Sequence, residues 1–125
     1  MLKLIYIGLG GAFGAISRYS ISRWMDIRCK SIFPYGTLVV NILGSFILGF
    51  LLTIFLDKTF ISSNLKTAIT TGFIGALTTF STFAYETMIL FEEKNIFFAG
   101  LNVFANLFLG IIFVCIGIIL ARLTI

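Results

Sequence analysis

Charged residues gather in clumps along this chain: Lys3, then Arg18 to Lys30, then Asp57 and Lys58, then Glu92 to Lys94, then Arg122. Between the clumps run apolar stretches of roughly 17 to 25 residues, the length a helix needs to cross a bilayer. The pattern predicts four helices, over residues 4–22, 36–56, 64–91 and 96–120. Trp24 and the charges around it mark an interface after the first, and Pro34 suits the start of the second. The connections are short and polar, so the expected architecture is all-α, integral to a membrane, with residues 1–125 forming one domain.

Composition agrees with that pattern. Hydrophobic residues make up 59% of the 125, charged ones only 11%, and the mean hydropathy is +1.12. A soluble domain averages about 25% charged residues and has no interior large enough for this much apolar surface. The net charge of +4 does not point to nucleic acid, because the basic residues lie scattered at helix ends without a dense patch. Histidine is absent, which excludes His-based triads and most catalytic zinc sites. Cys29 and Cys115 have no metal-ligand spacing. No enzyme is expected, and Lys3 with its apolar run reads as a retained first helix because no A-x-A-type site follows.

Four spans place both ends of the chain on one side of the membrane. That side carries Lys3, Lys58, Lys66 and Arg122, and the other carries Arg23, Arg28, Lys30 and Lys94, with Arg18 as a fifth if it reaches the interface. The bias is near zero, so the flanking charges favour neither orientation. Dual topology and an antiparallel homodimer are the expectation, the alternative being a fixed orientation set by a partner or by uneven weighting of the charges.

Polar residues inside the spans carry the candidate chemistry. The third span holds Gly72 and Gly75, then Thr78, Thr79, Ser81 and Thr82 interleaved with Phe80 and Phe83. Such a centre suits either a broken helix, whose freed carbonyls bind cations and whose half-helix N-terminus favours anions, or close helix packing by small residues. Phe80 and Phe83 are either packing residues or ring edges presented to an anion. Asn41 lies mid-span with Gly44 and Ser45 a turn on, and Asn102, Asn106 and Gly110 form one polar stripe on the fourth helix. That stripe is either helix-to-helix glue or the wall of a hydrophilic path. Arg18 and Glu86 fall within the membrane thickness, as vestibule or structural charges. Gly10 and Gly14 give the first helix a packing face.

Three segments taken in order, residues 10–19, 36–46 and 72–83, resemble the Fluc (CrcB) fluoride-channel family, and the likeness extends along essentially the whole chain. The resemblance implies an antiparallel, dual-topology homodimer with two pores that lets fluoride leave the cytoplasm passively, and a third helix broken at mid-membrane. It implies a structural sodium ion at the dimer interface, held by the backbone carbonyls of Gly75 and Thr78 from each subunit. Phe80 and Phe83 match the family's paired phenylalanines and Asn41 its pore-lining asparagine, with Thr37 and Ser81 carried over beside them. Glu86 falls where the family has an acidic residue. Asn102, Asn106 and Gly110 depart from the hydroxyl-lined track expected on the fourth helix, although an asparagine such as Asn106 can still hydrogen-bond fluoride. The family points to a multi-pass protein of a bacterial or archaeal cytoplasmic membrane. Two rivals are a small dual-topology drug–proton antiporter, which wants an acidic residue midway along the first helix, and a membrane assembly subunit that transports nothing.

Overall fold

The computed structural model describes all 125 residues and is entirely helical between short turns. Helix α1 runs Leu2–Cys29 and α2 runs Tyr35–Asp57. A third run follows as α3 (Ser63–Thr67), a π-helical stretch Ala68–Ile74 and the single turn α4 (Gly75–Leu77). Helix α5 (Phe80–Glu92) and the long α6 (Ile96–Thr124) complete the chain. Four stretches are long and apolar enough to cross a membrane: Leu2–Cys29, Tyr35–Asp57, Ser63–Glu92 and Ile96–Thr124.

The first helix extends beyond the predicted 4–22, because residues 23–29 contain no helix breaker. It ends at Lys30, whose φ of 44° is left-handed and whose N–H returns to the Asp26 carbonyl. Pro34 lies one position before the first residue of α2, where its missing N–H leaves no gap. The far end of α2 is capped from a distance. Lys66 donates its ammonium to the carbonyls of Phe55 and Lys58, which satisfies the orphan acceptors and sets a cation against the negative helix end.

Glycine sets the two main packing contacts. A Cβ on Gly10 would strike the Ala68 carbonyl and one on Gly14 the Phe73 carbonyl, so backbone of the π-helical stretch lies directly against α1. Gly72 returns the contact, since its Cβ would meet the Ile7 carbonyl. The paired small residues thus let two backbones touch, as GxxxG-type spacing permits. On the other side α2 and α6 pack along Gly49 and Gly117, which face the backbones of Val114 and Phe46. The outer surface is apolar: Leu4 is 71% exposed, Phe97 75% and Leu123 77%. Water would not tolerate such a coat, and lipid does. The chain is a multi-pass membrane protein.

Candidate functional site: a polar cleft at an interrupted helix

The helical run ends at Leu77. Thr78 (φ −84°, ψ 156°) and Thr79 (φ −151°, ψ 117°) are extended, and helix geometry resumes at Phe80. Asn41 on α2 accounts for the interruption. The Thr79 N–H, which in a continuous helix would donate to the Gly75 carbonyl, donates to Asn41 Oδ1 at 2.8 Å. Asn41 Nδ2 reaches back to the Thr79 carbonyl at 3.2 Å, so one side-chain amide satisfies both backbone groups of the residue. The Thr82 N–H is also diverted from helical pairing, because it donates to Thr79 Oγ1 at 3.2 Å in an N-cap.

Two consequences follow at the break. The carbonyls of Gly75 and Thr78 lose their helical donors, since the Thr79 and Thr82 amides point elsewhere. Gly75 is on the exposed surface of the chain. Freed carbonyls at the end of a half-helix form a donor set suited to a hard cation. On the other side of the break, the N-terminus of α5 presents free N–H groups and the positive end of its dipole, which favours an anion.

The N-terminal side of α5 opens onto a cleft of about 280 Å³. Its walls include Asn41, Thr78, Thr79, Phe80, Phe83 and Asn106. Phe83 is buried at 7% exposure while Phe80 stands 75% exposed, and their rings meet at 5.5 Å between centroids with a 63° interplanar angle. Edge-to-face geometry aims the electropositive rim of one ring at the other's face.

Asn106 on α6 joins the cleft through Asn41, whose Nδ2 donates to Asn106 Oδ1 at 2.9 Å. Asn106 Nδ2 donates in turn to the carbonyl and Oδ1 of Asn102, at 3.0 and 2.9 Å. Fully buried Asn102 donates to Thr87 Oγ1 at 2.9 Å, and the Thr87 hydroxyl donates in turn to the Phe83 carbonyl at 2.8 Å. Both N–H donors of Asn41 are therefore engaged within the protein.

The predicted pathway residues divide into two groups. Asn41, Phe80, Phe83 and Asn106 converge on the cleft. Thr37 does not; it is buried one turn before Asn41 and donates to Glu86 Oε1 at 2.8 Å, leaving the buried Oε2 without a partner. Ser81 is exposed on the first turn of α5, its hydroxyl 3.4 Å from that of Thr79. Glu86 lines a separate hollow with Pro34 and Tyr85, and Arg18 is half-buried on α1, in none of these walls. On α6 the asparagine stripe serves in both ways: Asn102 is glue, while Asn106 is glue and cleft wall together. Sequence reasoning missed Thr87 and the role of Thr79. The available signal was that a buried asparagine needs a partner, and Thr87 supplies the hydroxyl on the helix facing it.

Fold and site define a polytopic α-helical membrane protein with a polar cleft at an interrupted helix. A family model described as "CrcB-like protein, Camphor Resistance (CrcB)" matches residues 5–118. The chain is 45% identical over 123 residues to the Fluoride-specific ion channel FluC of Clostridium perfringens, covering 98% of this chain and 96% of that protein. It is 41% identical over 121 residues to the protein of that name from Syntrophotalea carbinolica, covering 97% and 98%. The relative from Geotalea daltonii, also so named, is 41% identical over 122 residues, covering 98% of each. The chain belongs to the CrcB family.

Proposed function

We propose that this protein is a fluoride-selective channel of the cytoplasmic membrane. It acts as an antiparallel, dual-topology homodimer that lets fluoride out passively and confers resistance. The observation that carries the reading is the convergence of Asn41, Asn106, Phe80 and Phe83 on one cleft at the N-terminus of α5. Ring edges and a helix N-terminus held in place by the asparagine amides can replace the hydration shell of a small anion without a full positive charge. Relatives at 41–45% identity bear the name of such a channel.

Passive conduction suffices for export. Fluoride enters cells as neutral HF and ionises at neutral pH, and an inside-negative potential expels the anion with about 2.3 kcal/mol per charge per 100 mV. The break at Thr78–Thr79 would lie at mid-membrane, and Ser81 and Thr37 would extend the path on the side of the Asn41 level that leads along α5 to Glu86. The exposed Phe80 supports the dimer, because a second chain laid against the open cleft would enclose it.

A sodium ion at that interface would be held by the carbonyls of Gly75 and Thr78 from both subunits. Their release from helical pairing supports this assignment. The ion would tie the two broken helices together and neutralise carbonyl dipoles, without taking part in conduction.

Purified protein in liposomes loaded with fluoride tests the reading with an ion-selective electrode, chloride loading serving as control. Rapid fluoride release, absent for chloride and abolished in Phe80→Ile, is expected. Folded dimers that release no fluoride would refute it.

A further inference from the structure

The polar chain behind the cleft has a direction. It starts at the Thr79 N–H, which can only donate, and ends at the Phe83 carbonyl, which can only accept. Between these ends Asn41, Asn106 and Asn102 each turn an oxygen toward the previous member and an NH2 toward the next. Reversing any one amide would set oxygen against oxygen on one side and nitrogen against nitrogen on the other. The orientation of Asn41 is therefore coupled to groups it does not touch. Both ends of the circuit sit on backbone of the segment that carries Phe80 and Phe83, so it also ties the first turn of α5 to α2 and α6.

We propose that Asn102, buried and outside the cleft, is a positioning residue that acts with Thr87 to fix the amide polarity of Asn106 and Asn41, and so holds the Thr79 amide on Asn41 and the first turn of α5 in place at the cleft. Asn102 Oδ1 faces the Asn106 NH2, so Asn106 must offer its own oxygen to Asn41. That oxygen takes one N–H of Asn41 and the Thr79 carbonyl takes the other, which leaves the Asn41 oxygen to accept from the Thr79 N–H. Thr87 anchors the arrangement because its hydroxyl proton is already committed to Phe83, leaving only the oxygen lone pairs for Asn102. The transport part of this proposal rests on the fluoride reading, and the structural part does not.

The test compares Thr87→Val, which keeps the shape and removes the hydroxyl, with Thr87→Ser, which restores it. Two readouts are taken on the full-length protein. One is fluoride efflux from liposomes. The other is the side-chain NH2 resonances of protein labelled with 15N-asparagine, which has only five asparagines, with Asn64 and Asn95 assigned by substitution. Thr87→Val is expected to slow efflux about tenfold and to move the Asn106 and Asn41 signals as well as that of Asn102. Thr87→Ser should restore both. A change confined to the Asn102 signal would overturn the proposal, as would equal slowing by valine and serine. Wild-type vesicles that pass no fluoride would fail the channel reading alone, and the asparagine signals would still decide the circuit. If valine prevents folding, Thr87→Ala removes the same oxygen and is read in the same way.

Discussion

Asn41 and Thr79 exchange two hydrogen bonds, Thr79 N–H to Asn41 Oδ1 at 2.8 Å and Asn41 Nδ2 to the Thr79 carbonyl at 3.2 Å. The side chain thus imitates a strand partner for a single residue in a helical protein. Within a low-dielectric bundle the Thr79 amide must have a partner, and Asn41 competes for it with the Gly75 carbonyl. Replacing Asn41 by leucine leaves that amide two choices. It can stay unpaired at a cost of roughly 1–3 kcal/mol, or close onto Gly75 and mend the break. Asn41→Leu is therefore expected to lose fluoride efflux in liposomes while keeping its helix content by circular dichroism. Efflux at the wild-type rate would show that the break does not depend on this pair.

Gly44 supports the same break from below. A Cβ there would coincide with Thr78 Cγ2, a methyl group fixed by the Thr78 Oγ1 bond to the Ile74 carbonyl at 3.0 Å. Gly44→Ala is expected to push Thr78 away from α2 and lower the thermal midpoint in detergent, as overpacking by about 1–3 kcal/mol would. Thr78→Ser removes the offending methyl yet keeps hydroxyl and carbonyl, so Gly44→Ala/Thr78→Ser should recover most of the loss. Two penalties that simply add would contradict the contact.

Much of this was legible in the sequence, for reasons that vary from residue to residue. The four spans follow from apolar length alone, because lipid enforces helices that satisfy their own backbone. The glycine face at Gly10 and Gly14 was readable from its four-residue spacing, although the helix it meets was not. Convergence of Asn41 with Asn106 was hidden, since the two lie on α2 and α6 and only tertiary packing joins them. The same holds for Thr87, an ordinary helical threonine until Asn102 is placed opposite it. Thr37 illustrates the converse: the resemblance places it beside Asn41 on the pathway, yet it lies outside the cleft and its hydroxyl is spent on Glu86.

Glycines that look alike in sequence should behave differently when substituted. Nothing lies within 4 Å of a Cβ placed on Gly8, whereas one on Gly14 would run into the Phe73 carbonyl. Gly8→Ala is expected to be neutral or to stabilise α1 by up to about 1 kcal/mol, through helix propensity. Gly14→Ala should force α1 off the π-helical stretch and lower the thermal midpoint in detergent markedly, since backbone cannot yield as a side chain can. Equal midpoints for the two variants would mean that the α1 contact does not hold the third span.

The proposed sodium site predicts a linkage. An ion bound only by the folded dimer stabilises it in proportion to the logarithm of ion concentration above the dissociation constant. Thermal midpoints should rise with sodium chloride and not with N-methylglucamine chloride at equal ionic strength. Asn41→Leu, which allows the Gly75 carbonyl to regain its helical donor, should lose the sodium dependence. A midpoint indifferent to sodium in wild type would remove the ion from the proposal and leave the cleft unaffected.

Phe80 and Phe83 separate conduction from folding. Phe83 is 7% exposed and Phe80 75% exposed in the single chain, with their rings 5.5 Å apart. Substituting isoleucine at Phe83 removes aromatic area from a packed position and is expected to cost stability as well as efflux, by roughly 1–3 kcal/mol. The same change at Phe80 removes a ring that packs chiefly against the other ring, so the monomer fold should keep its thermal midpoint in detergent while efflux falls. If the cleft passes fluoride along ring edges, both variants stop the ion and only one weakens the protein. A Phe80→Ile protein that conducts normally would break the link between the aromatic pair and the anion. A Phe80→Ile protein that loses its dimer on size exclusion would instead make this ring part of the subunit contact, and the loss of efflux would follow from separated subunits.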